Sequence, residues 1–410
     1  MKLLFLTDNF PPEVNAPATR TFEHCIEWVR SGADVKVITC APNFPKGILY
    51  PGYKNNVYTR VTIEGIEVVR LWTYITKNEG FFRRTLDYMS FALSSFIYGL
   101  FAECDIVIAT SPQFFTTFSA FGLSKIKRKP WVFELRDLWP ESIKAVGAMN
   151  DGRIFKILEK TELFLYNKSA LVIALTDAFK KNLICRGVLA DKIKVVPNGS
   201  NSDNYFPRAK NTELLKKLNL VNKFVVSYVG THGMAHSLDF IVKAIANLND
   251  PEIHFLFIGD GAEKEKIMRI ANENNINNNA TFLDPVPKAE VGDYLSIIDA
   301  GLVPLKKSDT FKTVIPSKIF ESAAMGKPIL LGVEGQAKEI IENYKAGICY
   351  DPENEQDFLE KLKILKNDNV LYNNYQEGCR RLSADYDRKQ LAKTMYSHLE
   401  DVVRNSRKKE

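Results

Sequence analysis

The sequence is poor in the residues that build metal centres and disulfide frameworks. Five histidines and six cysteines are spread over 410 residues. Cys25, Cys40, Cys104, Cys185, Cys349 and Cys379 make no C-x-x-C pair, and the nearest two stand fifteen positions apart. That spacing excludes zinc and dithiol redox motifs and reads as scattered reduced thiols of a cytosolic protein. No Asp-x-Asp follows an apolar strand and no His/carboxylate group has ligand spacing, so no metal and no cofactor are expected. Long apolar runs are missing too: nothing approaches the ~20 residues of a transmembrane helix. The chain opens Met1-Lys2 and runs into Leu3-Leu4-Phe5-Leu6 before Thr7-Asp8-Asn9 and Pro11-Pro12 stop it, which reads as a strand and not a signal peptide. No charge sign dominates strongly. The net charge of +6 suits an anionic substrate or an anionic membrane surface, and with no nucleic-acid-binding motif it does not indicate DNA or RNA.

What is present is a rhythm. Apolar runs at 3–6, 35–39, 68–72, 106–109, 131–134, 171–174 and 193–196 alternate with helical stretches. After the turn-rich Pro197-Asn198-Gly199-Ser200-Asn201 the pattern restarts, with runs at 224–230, 254–259, 280–283, 300–304 and 328–331. Strands alternating with helices predict parallel sheets in a doubly wound α/β fold, and the length suffices for two such domains of about 200 residues. The expected division is 1–200, 201–380, and a last helix within 381–410 that packs back on the first domain. That helix is expected over 380–405, and the Asn-rich stretch 272–279 reads as a surface loop. Two such domains facing each other would form a cleft lined by strand-end loops, so chemistry is sought just after each strand.

In the second half, Pro316-Ser317-Lys318-Ile319-Phe320-Glu321 reads as a helix start, with Pro316 at the first helical position and Gly326-Lys327-Pro328 as the stop. Ser317 and Lys318 there favour a phosphate, Lys318 as a mobile positive charge, and Glu321 one turn later suits a ribose diol. A capped surface helix with solvated Lys318 and Glu321 is the competing reading. Gly230-Thr231-His232-Gly233-Met234-Ala235-His236 follows a strand, and such a turn lets backbone approach a pyrophosphate while His232 and His236 donate to it. A plain turn with two exposed histidines competes. Gly259-Asp260-Gly261 is a weaker turn of the same kind, and Val286 in Asp284-Pro285-Val286-Pro287 suits a flat base.

In the first half, the Thr7–Arg20 loop, with Asn15 opening the next helix, follows the first strand. Glu134, Arg136, Asp137 and Glu141, in Glu134-Leu135-Arg136-Asp137-Leu138-Trp139-Pro140-Glu141-Ser142, stand just beyond another. Four ionisable groups at a strand end are costly to desolvate unless paired or used, so contact with a substrate and an ion-paired structural cluster both remain open. Thr110-Ser111-Pro112-Gln113 is a third strand-end loop.

Taken in order, Pro197-Asn198-Gly199, Gly230-Thr231-His232-Gly233, Gly259-Asp260-Gly261, Asp299 with Pro304, and Pro316-Ser317-Lys318-Ile319-Phe320-Glu321 through Pro328 resemble retaining glycosyltransferases of family four, which have the GT-B fold. The resemblance spans nearly the whole chain. It implies an N-terminal acceptor domain and a C-terminal nucleotide-sugar domain, with Glu321 on the ribose and Ser317 and Lys318 near the diphosphate. Two positions depart from the family: the first glutamate of its E-x7-E motif falls on Thr313, and its pyrophosphate-holding Arg and Lys fall on Thr231 and His236. The charge work then falls to His232, His236, Lys312 or Lys318. Glu134, Arg136, Asp137 and Asn15 are the expected catalytic-face residues. Gly230, Thr231, His232, Gly233, His236, Gly259, Val286, Thr313, Ser317, Lys318 and Glu321 are the expected donor-site residues.

Residues 81–101 join aromatic and apolar side chains to Lys77, Arg83 and Arg84, with Lys125–Lys129 beyond; an interfacial helix on anionic lipid and a buried core helix fit equally. Within the family, Arg136–Ser142 and Thr313–Glu321 look most like bacterial O-antigen and capsule enzymes, in particular N-acetyl-L-fucosamine transferases using a UDP donor. The expected function is therefore retaining, metal-independent transfer from a UDP-sugar to a polyprenyl-diphosphate-linked saccharide, by a cytoplasmic protein peripheral to the inner face of the membrane. A UDP-sugar epimerase of the same architecture and a non-catalytic nucleotide-sugar-binding protein are the rivals.

Overall fold

The structure, a computed structural model, describes residues 1–44, 46–76, 81–111, 114–141 and 152–408. Lys77, Pro112, Gln113, Ser142 and Lys409 lie outside them. The chain divides into two units, Met1–Pro197 with Arg388–Glu410, and Asn198–Asp387.

The first unit is built on β1 (Lys2–Leu6), β2 (Asp34–Cys40), β3 (Tyr58–Ile63), β4 (Ile66–Leu71), β5 (Ile106–Thr110), β6 (Trp131–Leu135), β7 (Leu171–Ala174) and β8 (Ile193–Val195), in the order β3-β4-β2-β1-β5-β6-β7-β8. The connections carry α1 (Ala16–Arg30), α2 (Phe81–Phe101), α3 (Phe114–Lys127), α4 (Arg153–Lys168) and α5 (Asp177–Cys185). β5 and β6 are buried end to end, which is why they read as unbroken apolar runs in a sheet covered on both faces. β3 is absent from the sequence reading because it is a largely exposed edge strand, antiparallel to β4. Its legible signal is Glu64-Gly65, both left-handed (φ 49° and 77°), the geometry of a two-residue hairpin turn.

The second unit holds β9 (Phe224–Val229), β10 (Ile253–Ile258), β11 (Ala280–Leu283), β12 (Ala300–Pro304), β13 (Ile329–Gly332) and β14 (Gly347–Cys349), all parallel, in the order β11-β10-β9-β12-β13-β14. Its helices are α6 (Thr212–Lys217), α7 (Leu238–Ala246), α8 (Lys264–Glu273), α9 (Lys288–Ile297), α10 (Lys318–Ala324), α11 (Gln336–Tyr344), α12 (Glu355–Asn367) and α13 (Asn369–Asp385). The Asn-rich stretch is not an open loop: it closes α8 and forms a 3-10 turn over Ile276–Asn278, and the Asn279 amide bonds the carbonyls of Asp250 and Ile253.

The single helix expected over 380–405 is two helices, α13 and α14 (Arg388–Arg407). The break falls between two anchors. Tyr386 stacks on Phe320 of the second unit at 4.8 Å, while the next helix begins with Arg388, buried against Glu23 of the first. From there α14 lies along α1, with Trp28 Nε1 bonded to the Ala392 carbonyl at 2.9 Å and Met395 and Leu399 in the same core.

Each sheet reverses its strand order once, between β1 and β5 in the first unit and between β9 and β12 in the second. Loops leaving the carboxyl ends of those strands flank the place where such sheets hold ligands.

Candidate functional site

In the second unit the two strands at the reversal supply one turn and one helix. β9 ends at Val229 and turns through Gly230, which has φ 139°; a Cβ there would lie 2.8 Å from Lys318 Cε and Nζ. Gly259, after β10, has φ 147°, and a Cβ would lie 1.9 Å from the Gly230 carbonyl oxygen. The two turns therefore pack backbone on backbone, stapled by Gly230 N to Ile258 O (2.8 Å) and His232 N to Asp260 O (2.9 Å). His232 is 0% exposed and neither ring nitrogen has a hydrogen-bond partner. Orphaned buried nitrogens cost roughly 1–3 kcal/mol each and mark groups awaiting a ligand or water. Burial, then Lys264, pushes the His232 pKa down to about 4; burial, then Lys318, pushes His236 down to about 3. Both rings are neutral at pH 7, each with one N–H to give. Two exposed histidines on a plain turn do not describe this loop.

Lys318 arrives from the connection after β12. Helix α10 starts at Lys318 itself, with Ser317 as cap residue; Pro316 stands two residues ahead and not at the first helical position, its carbonyl accepting from Ile319 N at 3.2 Å. Lys318 does not stand free in solvent either. Its ammonium sits 4.9 Å from the Tyr228 ring centroid and against Gly230, and burial lowers its pKa. Glu321 follows one turn later, half-buried. Lys312 is drawn off by Asp309 (2.8 Å) and Glu334 (3.6 Å). The Thr313 hydroxyl bonds Thr310 O within its own turn, Val286 leans on the core, and Thr231 is exposed beside half-buried Gly233. Contacts thus gather Gly230, His232, His236, Gly259 and Lys318 around Tyr228. Asp299 accepts from Val225 N and Lys210 and serves the fold.

In the first unit the strand-end charges divide by burial. Glu134, 2% exposed, pairs with Arg20 at 2.9 Å, and Arg20 also donates to the carbonyls of Val196 and Pro197. Glu134 thus fits the ion-paired alternative. Arg136 is half-buried and reaches the carbonyls of Ala16 and Pro17 at 3.1 and 3.0 Å; burial brings its pKa down to about 10. Asn15 is the N-cap of α1, its side chain accepting from Ala18 N at 2.8 Å and donating to Asn9 at 2.7 Å. Asp137 is half-buried. Glu141 pairs with Arg186 at 3.6 Å. Sequence reasoning passed over Asp87 on α2, which burial and then Asp8 raise to about 7; an acid on an apolar helix reads as solvated. Among the described residues, no group of three His, Cys, Asp or Glu is placed to hold a metal ion, and no helix is long and apolar enough to cross a membrane.

The family model "Glycosyl transferase 4-like domain" matches residues 15–199, and "Glycosyl transferases group 1" matches 210–382. The colanic acid biosynthesis glycosyl transferase WcaI of Escherichia coli is 25% identical over 400 residues, covering 92% of this chain and 96% of its own. Sucrose-phosphate synthase from Thermosynechococcus elongatus superposes with a TM-score of 0.76 at 15% identity, over 98% of each chain. Anabaena HepE in complex with UDP and glucose superposes at 0.73 and 18% identity, over 98% of this chain and 99% of its own. With two Rossmann-like units and both family models matched in order, the chain belongs to the GT-B glycosyltransferases.

Proposed function

We propose that this glycosyltransferase moves a sugar from a UDP-linked donor, UDP-N-acetyl-L-fucosamine first among the candidates, to a polyprenyl-diphosphate-linked saccharide in bacterial surface-polysaccharide assembly. The observation that carries the donor reading is Lys318: an ammonium held over Gly230 beside two neutral imidazoles, desolvated by burial, with the charge of Glu321 acting on it in the opposite sense. Such a set suits the diphosphate of a leaving nucleotide, whose growing negative charge it stabilises without a metal. Glu321 takes the ribose. The presence of UDP in HepE and the role of WcaI in colanic acid biosynthesis support the donor class and the pathway class. Transfer proceeds with retention: the acceptor oxygen bonds the anomeric carbon on the face from which the diphosphate oxygen leaves, and the hydroxyl proton passes to that departing phosphate. Arg136, Asp137 and the Asn15 loop line the acceptor side.

A radiolabelled-donor screen with UDP-N-acetyl-L-fucosamine, UDP-N-acetylglucosamine and GDP-mannose, run with and without membranes and with EDTA, tests this. Label reaching lipid only with membranes and undiminished by EDTA is the expected result. Conversion of free donor without acceptor would instead indicate an epimerase, and tight binding without turnover a nucleotide-sugar sensor.

The membrane part of the proposal is supported by α2. Phe91 and Ser95 are buried, and Ser119 and Lys127 of α3 bond the α2 carbonyls of Ala92 and Leu100, so one face is fixed to the unit. The other presents Leu86, Met89, Leu93, Ile97 and Phe101, between 40% and 83% exposed. These recur every three or four residues and form one stripe. Arg83, Arg84 and the basic end of α3 add charge for anionic headgroups. Changing Leu93 and Ile97 together to Glu is expected to leave the melting temperature unchanged, since both are exposed, and to weaken binding to phosphatidylglycerol vesicles by about tenfold or more. Undiminished vesicle sedimentation would remove α2 from the membrane reading.

A further inference from the structure

Tyr228 is the penultimate residue of β9 and is 1% exposed. A buried tyrosine hydroxyl needs a partner, and this one donates to the Thr231 carbonyl at 2.6 Å, closing the turn that follows the strand. Its ring meets three side chains of the proposed phosphate end. Lys318 Nζ lies 4.9 Å from its centroid, and the His232 and His236 rings each lie 5.7 Å away. A lysine stem has wide rotamer freedom and a strongly hydrated head, so a lysine at a helix start normally swings to water. Here the negative face of a buried ring offsets part of the lost hydration, and Gly230 leaves room for the ammonium that any side chain would fill.

We propose that Tyr228 is the positioning residue of the donor site, its ring holding the Lys318 ammonium over Gly230 where the donor diphosphate binds. The proposal rests on the donor reading of this site. It adds a residue that touches no ligand itself and acts by ordering the cation before the anion arrives, so that binding does not have to order it. Thr231 and His236 flank the same ring, and with both imidazoles neutral the cation of the group is Lys318. A defect in Tyr228 must therefore appear in phosphate binding and leave nucleoside binding alone.

The test is calorimetric titration of the full-length protein with UDP and with uridine, for wild type, Tyr228→Phe, Tyr228→Leu, Lys318→Ala and the Tyr228→Leu/Lys318→Ala double variant, each first shown to melt cooperatively. Tyr228→Phe keeps the ring and should bind UDP within about threefold of wild type. Tyr228→Leu should lose about tenfold for UDP and nothing for uridine. Added to Lys318→Ala, it should cost nothing more, because the ring acts through that one ammonium. Equal losses for UDP and uridine, equal losses in Phe and Leu, or an undiminished penalty in the Lys318→Ala background would each overturn the proposal. Failure of the wild type to bind UDP at all would instead strike the donor reading on which it rests.

Discussion

Lys318→Ala is expected to lower kcat/KM for the sugar-nucleotide donor by about a hundred- to a thousandfold, the loss typical of a preorganised group that meets charge developing on a leaving oxygen. The magnitude follows from its place. Lys312 pairs with Asp309 and Glu334, Lys264, whose charge reaches His232, pairs with Asp284 at 2.6 Å, and both histidines are neutral at pH 7, so Lys318 is the cation set against Gly230. Lys318→Arg should recover little. A planar guanidinium is larger than the ammonium it replaces, and the seat between Tyr228 and Gly230 is already filled at 2.8 Å from where a Gly230 Cβ would stand. Steady-state kinetics with labelled donor decide the matter: a loss below tenfold would mean that the diphosphate is held elsewhere.

Glu134→Ala is expected to act on stability before it acts on chemistry. It strands the Arg20 guanidinium, 1% exposed, without its carboxylate, and breaking one side of such a buried pair costs about 3–5 kcal/mol. For a unit of this size that lowers the melting temperature by about 10 °C. The pH dependence has a definite sign. Burial pushes the Glu134 carboxyl up, and Arg20 followed by Arg136 more than offsets it, leaving the pKa below its ordinary value. A carboxyl depressed in the folded state contributes stability above its unfolded pKa, ~4.3, and loses it as pH falls through the folded value. Glu134→Gln should therefore show a flatter loss of stability on acidification than wild type. A melting temperature unmoved by Glu134→Ala would show that Arg20 is satisfied by its other partners, the carbonyls of Val196 and Pro197 among them.

The fold class was legible because both sheets, the β3 edge apart, are parallel and covered on two faces, so β5, β6 and β10 are buried throughout and stand out as apolar runs between helices. β3 and β14 were not, for opposite reasons: β3 is an exposed edge with polar residues on both sides, and β14 is three residues long. The break at Tyr386 was illegible because both sides of it are helical; the helix ends there since Tyr386 stacks on Phe320 while Arg388 pairs with Glu23. At the site, the Gly230 turn and the Ser317–Lys318 helix start were visible as motifs. Tyr228 was hidden as one more aromatic in a strand, though its place just before a glycine turn was a usable sign.

The sequence by itself determined the alternation of strands and helices, the restart after Pro197, and which loops follow strand ends, because apolar periodicity and turn chemistry are local and survive in one dimension. Only the tertiary structure decided how charges of similar appearance are used. Lys312 and Lys318 are six residues apart and identical in type; one is neutralised by Asp309 and Glu334, the other rests on Tyr228 and Gly230. Glu134 and Asp137 are three apart; one is buried with Arg20, the other half-exposed. The physical reason is that a charge is defined by its solvation and partners, and the chain order does not show which partners it meets: Asp309 is in the same turn as Lys312, while Glu134 is 114 positions from Arg20.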